Sequence, residues 1–143
     1  MKSFTTAAIV ALALALPAHA GTKFGNPPPS PQLAQKMSQV LGRAQKSINR
    51  DISPGVRLTA ATSRGNTLVF MTRAESVAAA EVGLIRGPGL SLQQRFVKTF
   101  GQKFCRKGSG SRKFVDAGGS ISIALKLRGS AKLLAGGNLT SCN

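Results

Sequence analysis

The sequence predicts an α+β domain in which two β-hairpins form one antiparallel sheet, two or three helices cover that sheet, and one disulfide closes the fold. Three observations lead to this prediction. Apolar residues recur at helical spacing in residues 33–48 and 92–104. Alternating apolar and polar residues surround two Arg-Gly turns, at residues 64–65 and 128–129. The chain also contains two cysteines, an even number that needs no outside partner.

The first 20 residues have the three parts of a secretory signal peptide. Lys2 supplies the charge, an apolar run covers residues 7–16, and Ala18-His19-Ala20 is a small-residue cleavage site. The run is well short of the roughly 18 residues that a transmembrane helix needs. We therefore expect cleavage, no transmembrane span in the processed chain, and a periplasmic or secreted protein.

Two further segments follow the signal peptide. Residues 21–31 hold four of the seven prolines and are predicted to be a disordered lead-in. Residues 32–143 are then long enough for a single domain with its own core. Both cysteines, Cys105 and Cys142, lie in the exported part, where an oxidising compartment allows a disulfide between them to persist.

The first predicted helix begins at Ser30, a plausible N-cap, with Pro31 at the first helical position. It is expected to end near Asn49 or Arg50. The first hairpin follows over residues 56–72 and breaks between Ser63 and Asn66.

A short helix is predicted over residues 74–85, where Gly87-Pro88-Gly89 stops it. The next helix has the strongest local signal, because Ser91 and Gln94 form a capping box and a stripe of Leu92, Phe96, Phe100 and Phe104 follows at a spacing of four. A stripe of this kind is typical of a core. One short helical turn near residue 114 and a second hairpin across Arg128-Gly129-Ser130 complete the chain.

Residues 56–143 contain a hairpin, a helix ending in Cys105, the segment Arg112-Lys113-Phe114-Val115-Asp116-Ala117-Gly118, and a last hairpin that closes on Cys142. This arrangement resembles a group of small bacterial periplasmic proteins. The group usually has tyrosine in the final hairpin, and this chain has none. Because the group has no established activity, the resemblance implies the fold and a periplasmic location alone.

Composition argues against an enzyme. The single histidine, His19, lies in the signal peptide, which removes His-based triads, His metal ligation and a proton shuttle near neutral pH. Four carboxylates are too few for a carboxylate metal cage, and bridged cysteines leave no thiolate. We therefore predict no metal, no cofactor and no catalytic residues.

Basic residues dominate the charge, which is formally +16. They form polar faces on the first helix and on the helix after residue 91, and they continue into the segment CRKGSGSRK, residues 105–113. The ten candidate anion-binding residues are Lys36, Arg43, Lys46, Arg50, Arg95, Lys98, Arg106, Lys107, Arg112 and Lys113. The segment CRKGSGSRK is either a linker or a loop whose backbone N–H groups contact an anion.

The predicted function is non-enzymatic binding of an anionic envelope component by a monomer, the partner being an anionic polymer, lipopolysaccharide or an acidic protein. Nucleic acid is weakly supported, since the phenylalanines are claimed by the core. The alternative is a structural or accessory subunit of a cell-envelope or secretion assembly, with the apolar faces of the sheet and of helix 74–85 making the contact. A second alternative is a small secreted toxin or hydrolase. The charge is also consistent with a merely solvated surface.

Overall fold

The structure is a computed structural model that describes residues 28–143, so the predicted signal peptide and most of the Pro-rich lead-in lie outside the described residues. Four helices and five strands follow one another along this part of the chain. They are α1 (Pro31–Gln45), β1 (Asp51–Ser53), β2 (Val56–Arg64), β3 (Thr67–Ala74), α2 (Val77–Glu81), α3 (Leu92–Phe104), α4 (Gly110–Asp116), β4 (Ser120–Leu127) and β5 (Leu133–Leu139).

The α1 helix starts as predicted, with the Ser30 side chain accepting a hydrogen bond from the backbone N–H of Leu33 at 3.2 Å. It ends at Gln45, several residues earlier than expected. The cause is Asn49, whose φ of 66° is left-handed and whose N–H donates to the carbonyl of Leu58 at 2.8 Å. The chain therefore leaves the helix in order to pair with β2.

The five strands form one sheet in the order β1-β2-β3-β4-β5. Both predicted hairpins are present, β2–β3 around Gly65 and β4–β5 around Gly129, and each of these glycines has a positive φ. The prediction of an antiparallel sheet was wrong at the centre, because β3 and β4 run parallel, from Thr67↔Ser120 onward. The chain between them passes through the helical layer and returns to the end at which β3 began, which is what a parallel pair requires.

Two other expectations need correction. The sheet has a fifth strand, β1, which pairs antiparallel with β2 at the edge of the sheet. Residues 74–85 form a helix only over Val77–Glu81, whereas residues 110–116 form two helical turns in place of the one expected. The capping box of α3 is present, with both Ser91 and Gln94 hydrogen bonds made.

The helices pack on one face of the sheet and share a single hydrophobic core with it. Buried residues of α3 (Phe96, Phe100) and α4 (Phe114) meet alternate residues of β3 and β4. On the other face of β3, Val69 and Met71 are half-buried and lie outside this core. Within residues 28–143 the domain thus has two layers, and one face of the sheet carries no second helical layer.

The α3 helix approaches the edge strand β5 closely at one glycine. A Cβ atom on Gly137 would lie 2.8 Å from Val97 Cγ2, so only glycine lets the helix pack at this distance. The Gln93 side chain also bonds both backbone groups of Gly136 and so occupies part of the strand edge. None of the helices in the described part of the chain is long and apolar enough to cross a membrane.

Candidate functional site

A cleft of about 360 Å³ opens between α1, α3, the start of α4 and the β1–β2 edge of the sheet. Most of its lining is apolar. The apolar residues are Val40 and Ala44 from α1, Ile52 and Leu58 from β1 and β2, Phe70 from β3, and Phe100 and Phe104 from α3. A cavity of this size lies in the range of small-ligand and side-chain binding sites.

Aromatic rings form one wall of the cleft. Phe104 stacks on Phe70 with ring centroids 5.5 Å apart and an interplanar angle of 19°, and its centroid is 6.3 Å from that of Phe100. Phe96 and Phe100 are buried, as the stripe predicted, whereas Phe104 is only half-buried. The end of the stripe therefore presents apolar surface that a ligand could still bury.

Lys103 is the better-anchored of two cations at this cleft. Its Nζ donates to the carbonyl of Ile52 at 2.8 Å and lies 5.6 Å from the centroid of the Phe100 ring. Desolvation by burial lowers the pKa of Lys103. The charge is thus held at the rim by one carbonyl and one ring, and it is partly removed from water.

Arg43 is the second cation. It lines the cleft from α1, and its Nη1 would lie 3.6 Å from a Cβ atom on Gly110, so the guanidinium extends over the start of α4. The hydroxyls of Ser47, Ser109 and Ser111 line the same rim. The site therefore combines an apolar floor with two positive charges at its mouth.

The carboxylates of the chain are engaged elsewhere. The four ion pairs are Asp51–Arg57 at 3.1 Å, Glu75–Arg128 at 3.1 Å, Glu81–Arg95 at 3.0 Å and Asp116–Arg112 at 3.5 Å. They account for every Asp and Glu in the sequence. Among residues 28–143, neither Arg43 nor Lys103 has a carboxylate within ion-pair distance.

The ten predicted anion-binding residues differ in what they contact. Arg95 joins α2 to α3 by donating to Glu81 and to the carbonyl of Ile85, and its side chain is only 15% exposed. Arg112 bonds the carbonyl of Cys105 as well as Asp116. Of the ten, Arg43 alone lines the cleft. The other seven are on the surface, six of them exposed and Lys36 half-buried.

Sequence reasoning missed Lys103. A signal was available, because Lys103 lies three residues after Phe100 and directly before Phe104, so the helix brings it to the edge of the apolar stripe. Without knowing which end of the stripe is left uncovered, that position resembles any other lysine on a polar face.

The segment CRKGSGSRK forms the corner between α3 and α4. The Ser109 hydroxyl donates to the carbonyl of Phe104 at 3.0 Å and accepts from the N–H of Arg112 at 3.2 Å. Ser111 also donates to the Phe104 carbonyl, at 2.7 Å. Gly108, with a φ of 80°, makes the turn. Ser109 and Ser111 thus hold α4 against the end of α3 and help to form one wall of the cleft.

Cys105 and Cys142 form the predicted disulfide, with an S–S distance of 2.04 Å. Within residues 28–143, no group of three or more His, Cys, Asp or Glu side chains could hold a metal ion. The lining of the cleft includes hydroxyls and two cations but neither histidine nor carboxylate.

No protein-family model and no curated protein matches this chain. Solved structures with the same fold include two pilotins of type II secretion systems. The Vibrio vulnificus pilotin has a TM-score of 0.59 and 18% identity, with 78% of this chain and 93% of that chain covered. The Vibrio cholerae pilotin has a TM-score of 0.56 and 16% identity over 76% of this chain and 89% of that chain.

A candidate secreted protein of Pseudomonas aeruginosa is also similar, with a TM-score of 0.58 and 15% identity over 78% of this chain and 94% of that chain. At these identities the likeness shows the fold alone. The C-terminal resemblance to small bacterial exported proteins is compatible with these neighbours.

Proposed function

We propose that this chain is a non-enzymatic accessory subunit of a bacterial cell-envelope secretion assembly, and that its cleft binds a segment of a protein partner. One observation carries the proposal. The cleft leaves apolar and aromatic surface unfilled beside Arg43 and Lys103, two cations without a carboxylate partner in residues 28–143. Unfilled apolar surface of this kind marks a docking site.

The dimensions favour a few side chains of a partner. A volume of about 360 Å³ is enough for two or three apolar side chains. Burying them against Phe104 and Val40 would contribute roughly 25 cal/mol per Å² of apolar area. The cleft lies between rigid elements, since the disulfide fixes the end of α3 and the serine corner fixes the start of α4. A partner segment would therefore meet a largely preformed site.

The fold adds support by analogy. Two of the similar structures are pilotins of type II secretion systems, and neither they nor the third neighbour is described as an enzyme. A signal peptide at residues 1–20 would export this chain to the periplasm or the cell exterior, as a subunit of an envelope assembly requires. One fold can serve many functions, so this likeness supports a secretion role by analogy, and the cleft supplies the physical argument.

The alternative contact surface for such a subunit is the sheet face together with α2. Val82 and Val77 on the α2 side are 69% and 41% exposed. Val82 lines a second pocket of about 640 Å³, but Glu81, Arg86 and Arg95 make its lining more polar than that of the cleft, so it offers less apolar surface to a partner. Val82 serves here as a comparison in the experiment.

Site-specific photo-crosslinking in the native cell tests the proposal. A photoreactive phenylalanine analogue replaces Ser47 at the rim of the cleft in one strain, Val82 in a second, and the exposed Thr62 of β2 in a third. We expect one discrete adduct with a component of a secretion assembly from position 47 and none from position 62. An adduct from position 82 in place of 47 would move the site to α2. Equal adducts from all three positions would contradict a specific site.

A second candidate function is binding of an anionic envelope component through the basic helix faces. It is favoured by seven surface cations of the predicted set that form no ion pair within residues 28–143. Retention on heparin, lipopolysaccharide and DNA across a salt series tests it, with charge reversal at Lys36 and Arg50. A preferred ligand that persists at high salt and is lost on reversal would support this candidate, whereas equal binding that vanishes with salt would reduce the charge to a surface property.

A further inference from the structure

We infer that the partner segment presents an Asp or Glu side chain to Arg43 and Lys103, beside an apolar side chain seated against Phe104. The inference rests on the proposed function and specifies the chemistry of the partner. The cleft has two cations beside an apolar floor, and every Asp and Glu side chain of the sequence is paired elsewhere.

Lys103 is positioned to bind an acidic side chain. An ammonium has three N–H donors, and the Ile52 carbonyl uses one of them. That bond and the Phe100 ring keep Nζ at the rim, so little side-chain freedom remains to be lost when a second acceptor arrives. Desolvation lowers the pKa of this amine, and a partner carboxylate would act in the opposite direction by favouring the charged form.

Arg43 supplies the geometry for a carboxylate. Its guanidinium makes no hydrogen bond to another side chain within residues 28–143, and it lies next to the start of α4. A guanidinium can bind both oxygens of a carboxylate at once. An acidic side chain entering between α1 and α3 could therefore meet both cations.

The same charges discriminate against other segments. A purely apolar segment would cover Arg43 and Lys103 without giving them a partner, and taking an unpaired charge further from water is costly. A basic segment would add repulsion in a cleft that already holds two cations. The apolar floor thus supplies contact area, and the two cations supply the selectivity for an acidic partner.

Selection from random peptides tests this specificity. A library of short random peptides displayed on phage is selected on the oxidised wild-type protein and on the double variant Arg43→Glu/Lys103→Glu. We expect wild-type protein to enrich peptides in which Asp or Glu lies near Leu, Ile, Phe or Trp. The double variant should enrich peptides in which Lys or Arg, in place of Asp or Glu, lies near the apolar residue. Synthetic peptides from the first set should bind the double variant about tenfold more weakly or worse.

A matched control separates the cleft from the overall charge. The variant Lys46→Glu/Lys113→Glu changes the net charge equally at two exposed positions outside the cleft. It should select the same acidic peptides as the wild type with affinity within about twofold to threefold, since exposed charges are screened. Equal loss in both double variants would overturn the inference, because the effect would then belong to the general field.

The cleft-filling variant Ala44→Trp distinguishes failure of this inference from failure of the proposed function. If the enriched peptides lack acidic residues and do not bind the Ala44→Trp variant, the acidic specificity is overturned and the cleft remains a protein-binding site. If the peptides bind the Ala44→Trp variant as tightly as the wild type, the cleft is not their binding site. If no peptide is enriched and sodium dodecanoate binds instead, the occupant is an acyl anion and both proposals fail.

Discussion

Replacing Cys105 and Cys142 together with serine is expected to lower the free energy of unfolding by about 4 kcal/mol. For a domain of this length such a loss corresponds to a decrease in Tm of about 15 °C. The physical reason is the length of the loop that the disulfide closes, since the two cysteines are 37 residues apart. Without the bond, the unfolded chain regains the conformations that the loop had excluded.

Loss of the disulfide is also expected to affect the cleft, because of where the bond lies. Cys105 is the C-cap residue of α3 and directly follows Phe104, and Cys142 lies just beyond β5. The loop contains α4 and the hairpin β4–β5. Cutting it would therefore loosen the end of α3 that carries Lys103 and Phe104, and we expect weaker peptide binding together with lower stability.

Thermal unfolding followed by circular dichroism measures the effect, with the wild type in dithiothreitol as the matched control. The reduced wild type and the double serine variant should have the same Tm within a few degrees. An oxidised wild type that melts no higher than the variant would show that the disulfide does not contribute to stability. If the double serine variant retains full peptide affinity, the disulfide is not needed for binding at the cleft.

The parts of the fold that could be predicted are those with local causes. Ser30 and Ser91 cap helices because a side-chain oxygen satisfies a nearby N–H group, and that chemistry is visible within four residues. Gly65 and Gly129 mark hairpin turns because both adopt a positive φ. The disulfide followed from an even cysteine count in an exported chain.

The parallel pairing of β3 and β4 could not be predicted in the same way. The period of two that identifies a strand is the same in parallel and antiparallel sheets. The partner of a strand is set by how the chain between strands crosses the helical layer, and here α2, α3 and α4 all lie in that connection. The edge strand β1 is three residues long and too short to show any period.

The candidate site was only partly accessible from sequence. The phenylalanine stripe was predicted as core, and its last member, Phe104, is only half-buried and lines the cleft. The basic residues were visible as charge, but charge does not show which of them is already paired. Arg95 looked like Lys98 in sequence, yet Glu81 and a carbonyl claim it. Pairing depends on tertiary contacts, and so does the identity of the two cations left at the cleft.

Substitution of Gly55 by alanine is expected to lower the free energy of unfolding by about 3 kcal/mol or more. Gly55 lies in the turn between β1 and β2 with a φ of 76°, and its Cβ would overlap the carbonyl oxygen of Ala79 in α2. A left-handed alanine costs roughly 1–2 kcal/mol, and overpacking against a fixed backbone costs about 1–3 kcal/mol more. Urea unfolding of the two proteins gives the difference.

Gly89 provides the matched control, because its φ of 75° is nearly the same and nothing lies within 4 Å of where its Cβ would be. Gly89→Ala should therefore cost only the backbone part, roughly 1–2 kcal/mol. The excess for Gly55→Ala then measures how tightly α2 holds this turn. The turn directly follows β1, whose Ile52 carbonyl anchors Lys103. If the two glycine variants lose the same stability, the contact with α2 does not hold the turn, and the pairing of β1 with β2 must position the Ile52 carbonyl.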